Sequence, residues 1–414
     1  MRSSMWRGRG LAGGSIMVAI SIVAVGSMSV LLLGVGARQV PSAEMATFVT
    51  NWVAINTTLV ALGASFDQLA PRLLAQDSMI GTTLVLHGTV LPFLGSLLTI
   101  VALRAVTANS AAFLTLICYA TAVSLWTGER SMRLGSGEFR GLANAAVIAA
   151  GGCALTVGLF ISTGNLSGEK LFYAGAAGHL VGFVSLRLTT SRCSRSGPLR
   201  LLGWLEYRLA ASVALSSASV LVISSGGLVL ASWWGVADRR LVAYAGIVNL
   251  VRVPFMILNS TSGPLNVEIA RSTAAGNHRA AALVAAKWAA LMTLASVLVG
   301  GAVLVAGSTL LETFIGPGYR FELGLAMAVV AVEALLWISG APRFLAIAAG
   351  SAGRVAVQWV AGGVVFLIVA TQNAIGDGRL IAAPLAGAVV IAAISGTWAI
   401  WMARRYVPAP VQSE

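Results

Sequence analysis

The chain reads as a succession of apolar runs broken by short polar intervals. Each run approaches the roughly 20 residues that an α-helix needs to cross a bilayer. Twelve runs predict twelve spans, at about 11–36, 45–66, 79–103, 109–127, 141–161, 171–188, 210–234, 241–263, 282–307, 322–349, 355–371 and 380–402. The tenth is long and contains Pro342, which predicts a kink. No interval between runs is long enough for a separate soluble domain. The expected fold class is an all-α polytopic membrane protein.

The basic residues orient these spans, because cytoplasmic loops of membrane proteins are enriched in Lys and Arg. With the N-terminus placed in the cytoplasm, inside segments hold 18 of the 27 basic residues, Arg130, Arg133, Arg187 and Arg208 among them. Outside segments hold seven: Arg38, Arg104, Lys170, Arg239, Arg240, Arg320 and Arg379. An even number of spans returns the C-terminus to the same side, so the expectation is a cytoplasmic-membrane protein with both termini inside. Arg2, Arg7 and Arg9 ahead of an apolar run imitate a signal peptide. The run from Leu11 to Ala37 is far longer than the roughly 7–15 residues of a signal core, and is read as a retained first helix.

The longest and most basic connection runs from Thr189 to Tyr207 and carries Arg192, Arg195 and Arg200. It divides the chain into an N-terminal six-helix lobe (1–188), a cytoplasmic linker (189–208), a C-terminal six-helix lobe (209–405) and a disordered tail (406–414). Transporters built from such repeats place the substrate between the halves. An internal echo fits this division: Asp67-Gln-Leu-Ala-Pro-Arg72 closes span two, and Gly263-Pro-Leu-Asn266 with Ile269-Ala-Arg271 closes span eight.

Composition narrows the function classes. Hydrophobic residues make up 57% of the chain and charged residues 10%, against roughly 25% charged in a soluble domain; mean hydropathy is +0.88. The net charge of +13 is accounted for by inside loops, so no nucleic-acid partner is implied. Three cysteines without CxxC spacing make no disulfide framework. There is no phosphate-binding GxxxxGK[ST] loop, no HExxH and no metal-spaced His/Cys cluster, so no cofactor, ATP hydrolysis or metal catalysis is expected. The chain reads as a non-enzyme.

Several segments carry a family resemblance. Ala243-Tyr-Ala-Gly246, the Pro264 and Ala270-Arg271 stretch, Ala275-Gly-Asn-His-Arg279 and Phe314-Ile-Gly-Pro-Gly-Tyr319 resemble polysaccharide flippases of the multidrug/oligosaccharidyl-lipid/polysaccharide (MOP) exporter superfamily. Gly63 to Ala75 is similar to the segment after that family's second helix. The resemblance implies a MATE-like fold of two six-helix bundles around a cavity that opens alternately to each side. It implies a polyprenyl-pyrophosphate-linked oligosaccharide as substrate, with the phospholipid bilayer and glycan-assembly membrane proteins as partners. One departure stands out: family members often carry an acidic residue early in the seventh helix, and Ala210 to Trp234 holds none.

A flippase must shelter a pyrophosphate that hydrocarbon rejects, and arginine suits that task because its planar fork binds phosphate oxygens and stays charged. Arg252, near the middle of span eight, is the leading cavity candidate; an intramembrane Arg should face a cavity or a partner. Asn249 and Asn259 fall on its helical face, with Tyr244 roughly so. Glu333, midway along span ten, is either the ion-pair partner of Arg252 or a proton-linked carboxylate. His87 beside Pro92, His179 in span six, and Asn56 at the position echoing Arg252 are further cavity candidates. Arg208, close to Glu206, is placed at the cytoplasmic mouth, where it either captures an anionic head group or anchors topology; Arg343 beside Pro342 is similar. Two alternatives stand beside the flippase: a MATE-like small-molecule exporter, which would favour acidic cavity residues, and a membrane-embedded glycan polymerase or ligase, which the short outward loops disfavour. Coupling to membrane potential, protons or sodium stays open.

Overall fold

The structure is a computed structural model that describes residues 11–76, 80–106, 112–189, 202–259, 275–348, 352–372 and 378–406, with positions 265, 268, 269, 272 and 273 between. Among the described residues the regular structure is helical. The first half folds into α1 (Leu11–Gln39), α2 (Ser42–Gln76), α3 (Gly81–Val106), α4 (Phe113–Ser136), α5 (Phe139–Ser162) and α6 (Gly168–Leu188). The second half folds into α7 (Trp204–Trp233), α8 (Asp238–Asn259), α9 (His278–Ile315), α10 (Leu323–Ile338), α11 (Gly340–Ala348), α12 (Ala352–Ala370) and α13 (Arg379–Tyr406). Arg192, Arg195 and Arg200 of the expected linker, the tail beyond 406, and Pro264 and Asn266 of the internal echo lie outside the described residues; the expected linker reaches to 208, whereas α7 already opens at Trp204.

Helices dominate because a backbone in hydrocarbon must satisfy its own N–H and C=O groups. Eleven helical segments are long and apolar enough to cross a membrane, α10 and α11 together counting as one. The fourth crossing, α4, is too polar for that test, yet it is an interior helix: 15 of its 24 residues are buried, against α2, α3 and α6. The expected fourth span stops at 127, whereas α4 continues to Ser136. The expected kink falls three residues ahead of Pro342: α10 ends at Ile338, Ser339 breaks the path and α11 starts at Gly340. Pro342 thereby lies in the first turn of a new helix, where its missing N–H costs nothing.

Successive crossings alternate in direction. The α1–α2, α7–α8 and α9–α10 connections therefore share the end of the bundle away from the termini, called here the far end. The two lobes meet where α2 packs on α7 and where α1 packs on α8 and α9. A single core runs through both, joining Met28, Leu33 and Phe48 to Val242, Trp288 and Leu311.

At the far end this seam is tied. The Tyr319 hydroxyl donates to the Ala37 carbonyl at 2.8 Å, and Arg38 donates to the Thr313 carbonyl. Gly34 lets the helices close: a Cβ there would lie 2.8 Å from the Phe314 carbonyl oxygen. Gly316, at φ 101° and directly against the Arg38 side chain, takes a left-handed backbone that suits glycine. The Phe314–Tyr319 segment noted in the sequence is thus part of the seal between lobes.

Candidate functional site

α8 carries a proline, Pro254, so the Leu250 carbonyl loses its helical donor one turn along. Beside this local interruption sits Arg252. Its Nε donates to Glu333 Oε1 of α10 at 3.0 Å, and the Trp337 indole N–H, one turn beyond on the same helix, donates to Glu333 Oε2 at 2.9 Å. Glu333 is 2% exposed and the Arg252 side chain 19%. Both carboxylate oxygens therefore hold a donor. The guanidinium is less fully used, since Arg252 Nη2 is buried without a hydrogen-bond partner. A buried donor left unmade is costly, so Arg252 keeps capacity for one more acceptor.

Tyr244, two turns along α8, lies within electrostatic reach of both Arg252 and Glu333. With Ser224, Val329 and Val332 it lines a cavity of about 10 Å³, room for one water. Gly227 of α7 permits this approach, since a Cβ there would stand 2.7 Å from the Tyr244 hydroxyl. Asn249 is half-buried and donates to its own helix, at the Ala245 carbonyl, 2.9 Å away. Arg343 of α11 is also drawn inside. It donates to Ser217 Oγ of α7 at 3.3 Å and lies over the Trp359 ring at 5.7 Å, while its Nε is buried with no partner. The C-terminal lobe thus encloses two guanidiniums, Arg252 and Arg343, with the Glu333 carboxylate paired to the first.

The other expected residues fall elsewhere. Asn56 belongs to a network inside the N-terminal lobe: its amide donates to the Tyr119 hydroxyl at 2.9 Å, and the Trp52 indole N–H donates to the same oxygen at 3.1 Å. The Tyr119 ring in turn meets the buried His179 edge-on at 6.2 Å. His87 shares its Nδ1 with the Thr83 carbonyl of its own helix at 2.8 Å and lies 5.9 Å from the Tyr207 ring of α7, at the junction between lobes. Arg208 is exposed one residue further on; Glu206 reaches back to the Gly203 N–H that opens α7. The structure therefore joins Arg252 to Glu333 and groups Asn56 with Tyr119, while His87 packs at the junction between lobes and Arg208 is exposed.

Sequence reasoning missed a second set of paired charges, two of them fully buried. At the termini end of the N-terminal lobe, Glu129 is 0% exposed and Arg187 Nε stands 2.6 Å from its Oε1. Arg133, 1% exposed, pairs with Glu138 and donates to the Leu186 carbonyl of α6. Asp67 of α2 accepts from Arg130 and from Ser131 Oγ. Three arginines meet three carboxylates, and the cluster ties α2, α4 and α6. The signal was present in the Glu129–Arg133 spacing of four residues, which places both on one helical face; ending the span at 127 hid it.

At the level of sequence, no family model and no curated protein matches this chain. In structure it is similar to an outward-facing multidrug resistance MATE family transporter of the MOP superfamily, with a TM-score of 0.68 at 13% identity over 94% of this chain and 96% of that one. It is similar to an inward-facing transporter of the same description, at a TM-score of 0.66 and 14% identity over 98% of both chains. A third likeness, TM-score 0.66 at 12% identity over 94% of this chain and 95% of that one, is to a MOP superfamily transporter from Pyrococcus furiosus noted for a binding pocket of reverse polarity. At these identities the likeness establishes the fold: a two-lobe, MATE-like bundle of membrane helices.

Proposed function

We propose that this protein is a secondary transporter of the MOP superfamily that moves an anionic substrate between its two lobes by alternating access. The reading rests on one observation above the others: the interior of the C-terminal lobe holds an arginine, Arg252, whose carboxylate partner leaves a buried guanidinium donor unmade. A site for organic cations calls for an excess of carboxylate. Here the enclosed groups are Arg252 and Arg343 against Glu333. The seam tied by Tyr319 and Arg38 at the far end suits one limiting state of the cycle, with access from the other side.

The substrate class that fits is a lipid-linked pyrophosphate carrying sugar, such as a polyprenyl-pyrophosphate oligosaccharide. Its tail stays in the bilayer while its phosphates need guanidinium donors in a wet path. The basic-residue asymmetry supports a far end that faces outside, and the direction that fits this reading is export across the cytoplasmic membrane. A second reading, export of small organic molecules, is favoured by the multidrug transporters that share the fold.

Reconstitution into liposomes separates the two. Translocation of a fluorescent polyprenyl-pyrophosphate sugar, read by its protection from a membrane-impermeant quencher, is expected for the wild-type chain and lost in Arg252→Ala. Efflux of a cationic dye by the same vesicles, with no lipid-linked sugar movement, would overturn the anionic reading in favour of the second.

A further inference from the structure

The far end holds a feature that the transport path does not use. Ala237 of the α7–α8 connection with Arg239 and Arg240 of the first turn of α8, and Gly318, Arg320 and Glu322 of the α9–α10 connection, line one open bowl of about 460 Å³. The volume is in the range of small-ligand sites. Glu322 is already occupied: Arg240 grips it in a fork, Nε to Oε1 at 2.7 Å and Nη2 to Oε2 at 3.0 Å. That bidentate pair cancels one charge of each sign and braces the start of α8 against the α9–α10 connection.

Arg239 and Arg320 are different. Both are exposed, and neither makes an ion pair or hydrogen bond among the described residues. The bowl therefore carries three guanidiniums against one carboxylate, an excess of two positive charges over a space wide enough for a head group. Arg239 also lies within electrostatic reach of Tyr319, which ties the lobes. Burial raises the Tyr319 phenol above its ordinary pKa, and the nearby Arg239 guanidinium opposes the rise. Tyr319 lies between Gly318 and Arg320, so the wall of the bowl and the tie to Ala37 are one short segment.

We propose that this bowl is a binding site for a phosphoryl group, held by Arg239 and Arg320 with Arg240 as a braced third donor. Phosphate oxygens accept several guanidinium contacts at once, and two unspent arginines match the charge of a phosphate dianion. The site stands on the bowl alone and does not depend on the substrate proposed above. The same chemistry has two sources, a free phosphate in the aqueous phase or the phosphodiester of a phospholipid head group at the membrane surface.

The test uses the full-length protein in nanodiscs. One arm titrates inorganic pyrophosphate into phosphatidylcholine nanodiscs and follows heat of binding. The other compares retention of phosphatidylglycerol over phosphatidylcholine by native mass spectrometry. Binding in either arm, weakened at least about tenfold in R239A/R320A and unchanged in R140A at an exposed arginine elsewhere, supports the site and names the source. R239K/R320K, which keeps charge but not the planar fork, is expected to fall between wild type and the alanine pair, and guards against misfolding as the cause. Binding in neither arm, or binding equal in wild type and R239A/R320A, would overturn the proposal.

Discussion

Arg252→Ala offers the sharpest test of the buried pair. The substitution removes the donor on Glu333 Oε1 and leaves a carboxylate that is 2% exposed with the Trp337 indole as its remaining contact. Two unit charges about 4 Å apart interact by about 4 kcal/mol at an effective dielectric of 20, and stranding one member of a buried pair costs about 3–5 kcal/mol. Glu333→Gln is gentler, at about 1–2 kcal/mol: the amide oxygen can still accept from Trp337, and Arg252, 19% exposed, can recruit water. In the double variant R252A/E333Q no charge is stranded, so stability should recover by at least about 1 kcal/mol relative to R252A. The assay is reversible unfolding in mixed detergent micelles, with far-UV circular dichroism following the helices through a four-variant cycle. Coupled residues depart from additivity by about 0.5–3 kcal/mol. Additive single effects, with R252A/E333Q less stable than R252A, would show that the 3.0 Å contact does not hold the two helices and would remove the basis for treating the pair as one unit.

Two further outcomes follow from the packing. Gly34→Val should block closure of the far end, because its side chain would enter the space of the Phe314 carbonyl; a cysteine placed at Leu33, 1% exposed in the closed seam, should then react faster with a thiol reagent than it does beside Gly34. Glu129→Gln should destabilise the N-terminal lobe by about 1–2 kcal/mol, since the fully buried carboxylate is lost while Arg187, 43% exposed, can turn to water, and thermal unfolding of the purified variant should show the loss without a matching loss from the exposed Glu312→Gln.

Much of the architecture is legible in the order of residues, and the places where reading failed share a cause. The expected spans sit on the observed helices, but three helices run well past the expected ends, α2 to Gln76, α9 to Ile315 and α4 to Ser136; in α4 the overrun matters most, because Glu129, Arg130 and Arg133 look like a loop until α2 and α6 supply their partners. Arg252 and Glu333 stood out as intramembrane charges, and both alternatives left open for Glu333 start from a group the structure places 3.0 Å from that arginine. Asn56 was tied to Arg252 by an internal echo; its recorded partners are Trp52 and Tyr119 of its own lobe. The far-end bowl escaped notice because Arg239, Arg240 and Arg320 serve equally well as topology signals when read one loop at a time.

The sequence by itself determines that this chain is a stack of membrane helices and how many times it crosses, and it picks out Arg252 and Glu333 as charges within them. That much is local: in hydrocarbon each segment must satisfy its own backbone, so an apolar run of sufficient length has one available form. Only the tertiary structure decides which faces meet. These helices are apolar on nearly all sides, since lipid and protein interior are alike in polarity, so no stripe announces the buried face. The joining of α8 to α10 through Arg252 and Glu333, the closing of the far end by Tyr319 on Ala37, and the gathering of three arginines around one bowl depend on helix rotation and lobe contact, which close packing settles and residue order does not display.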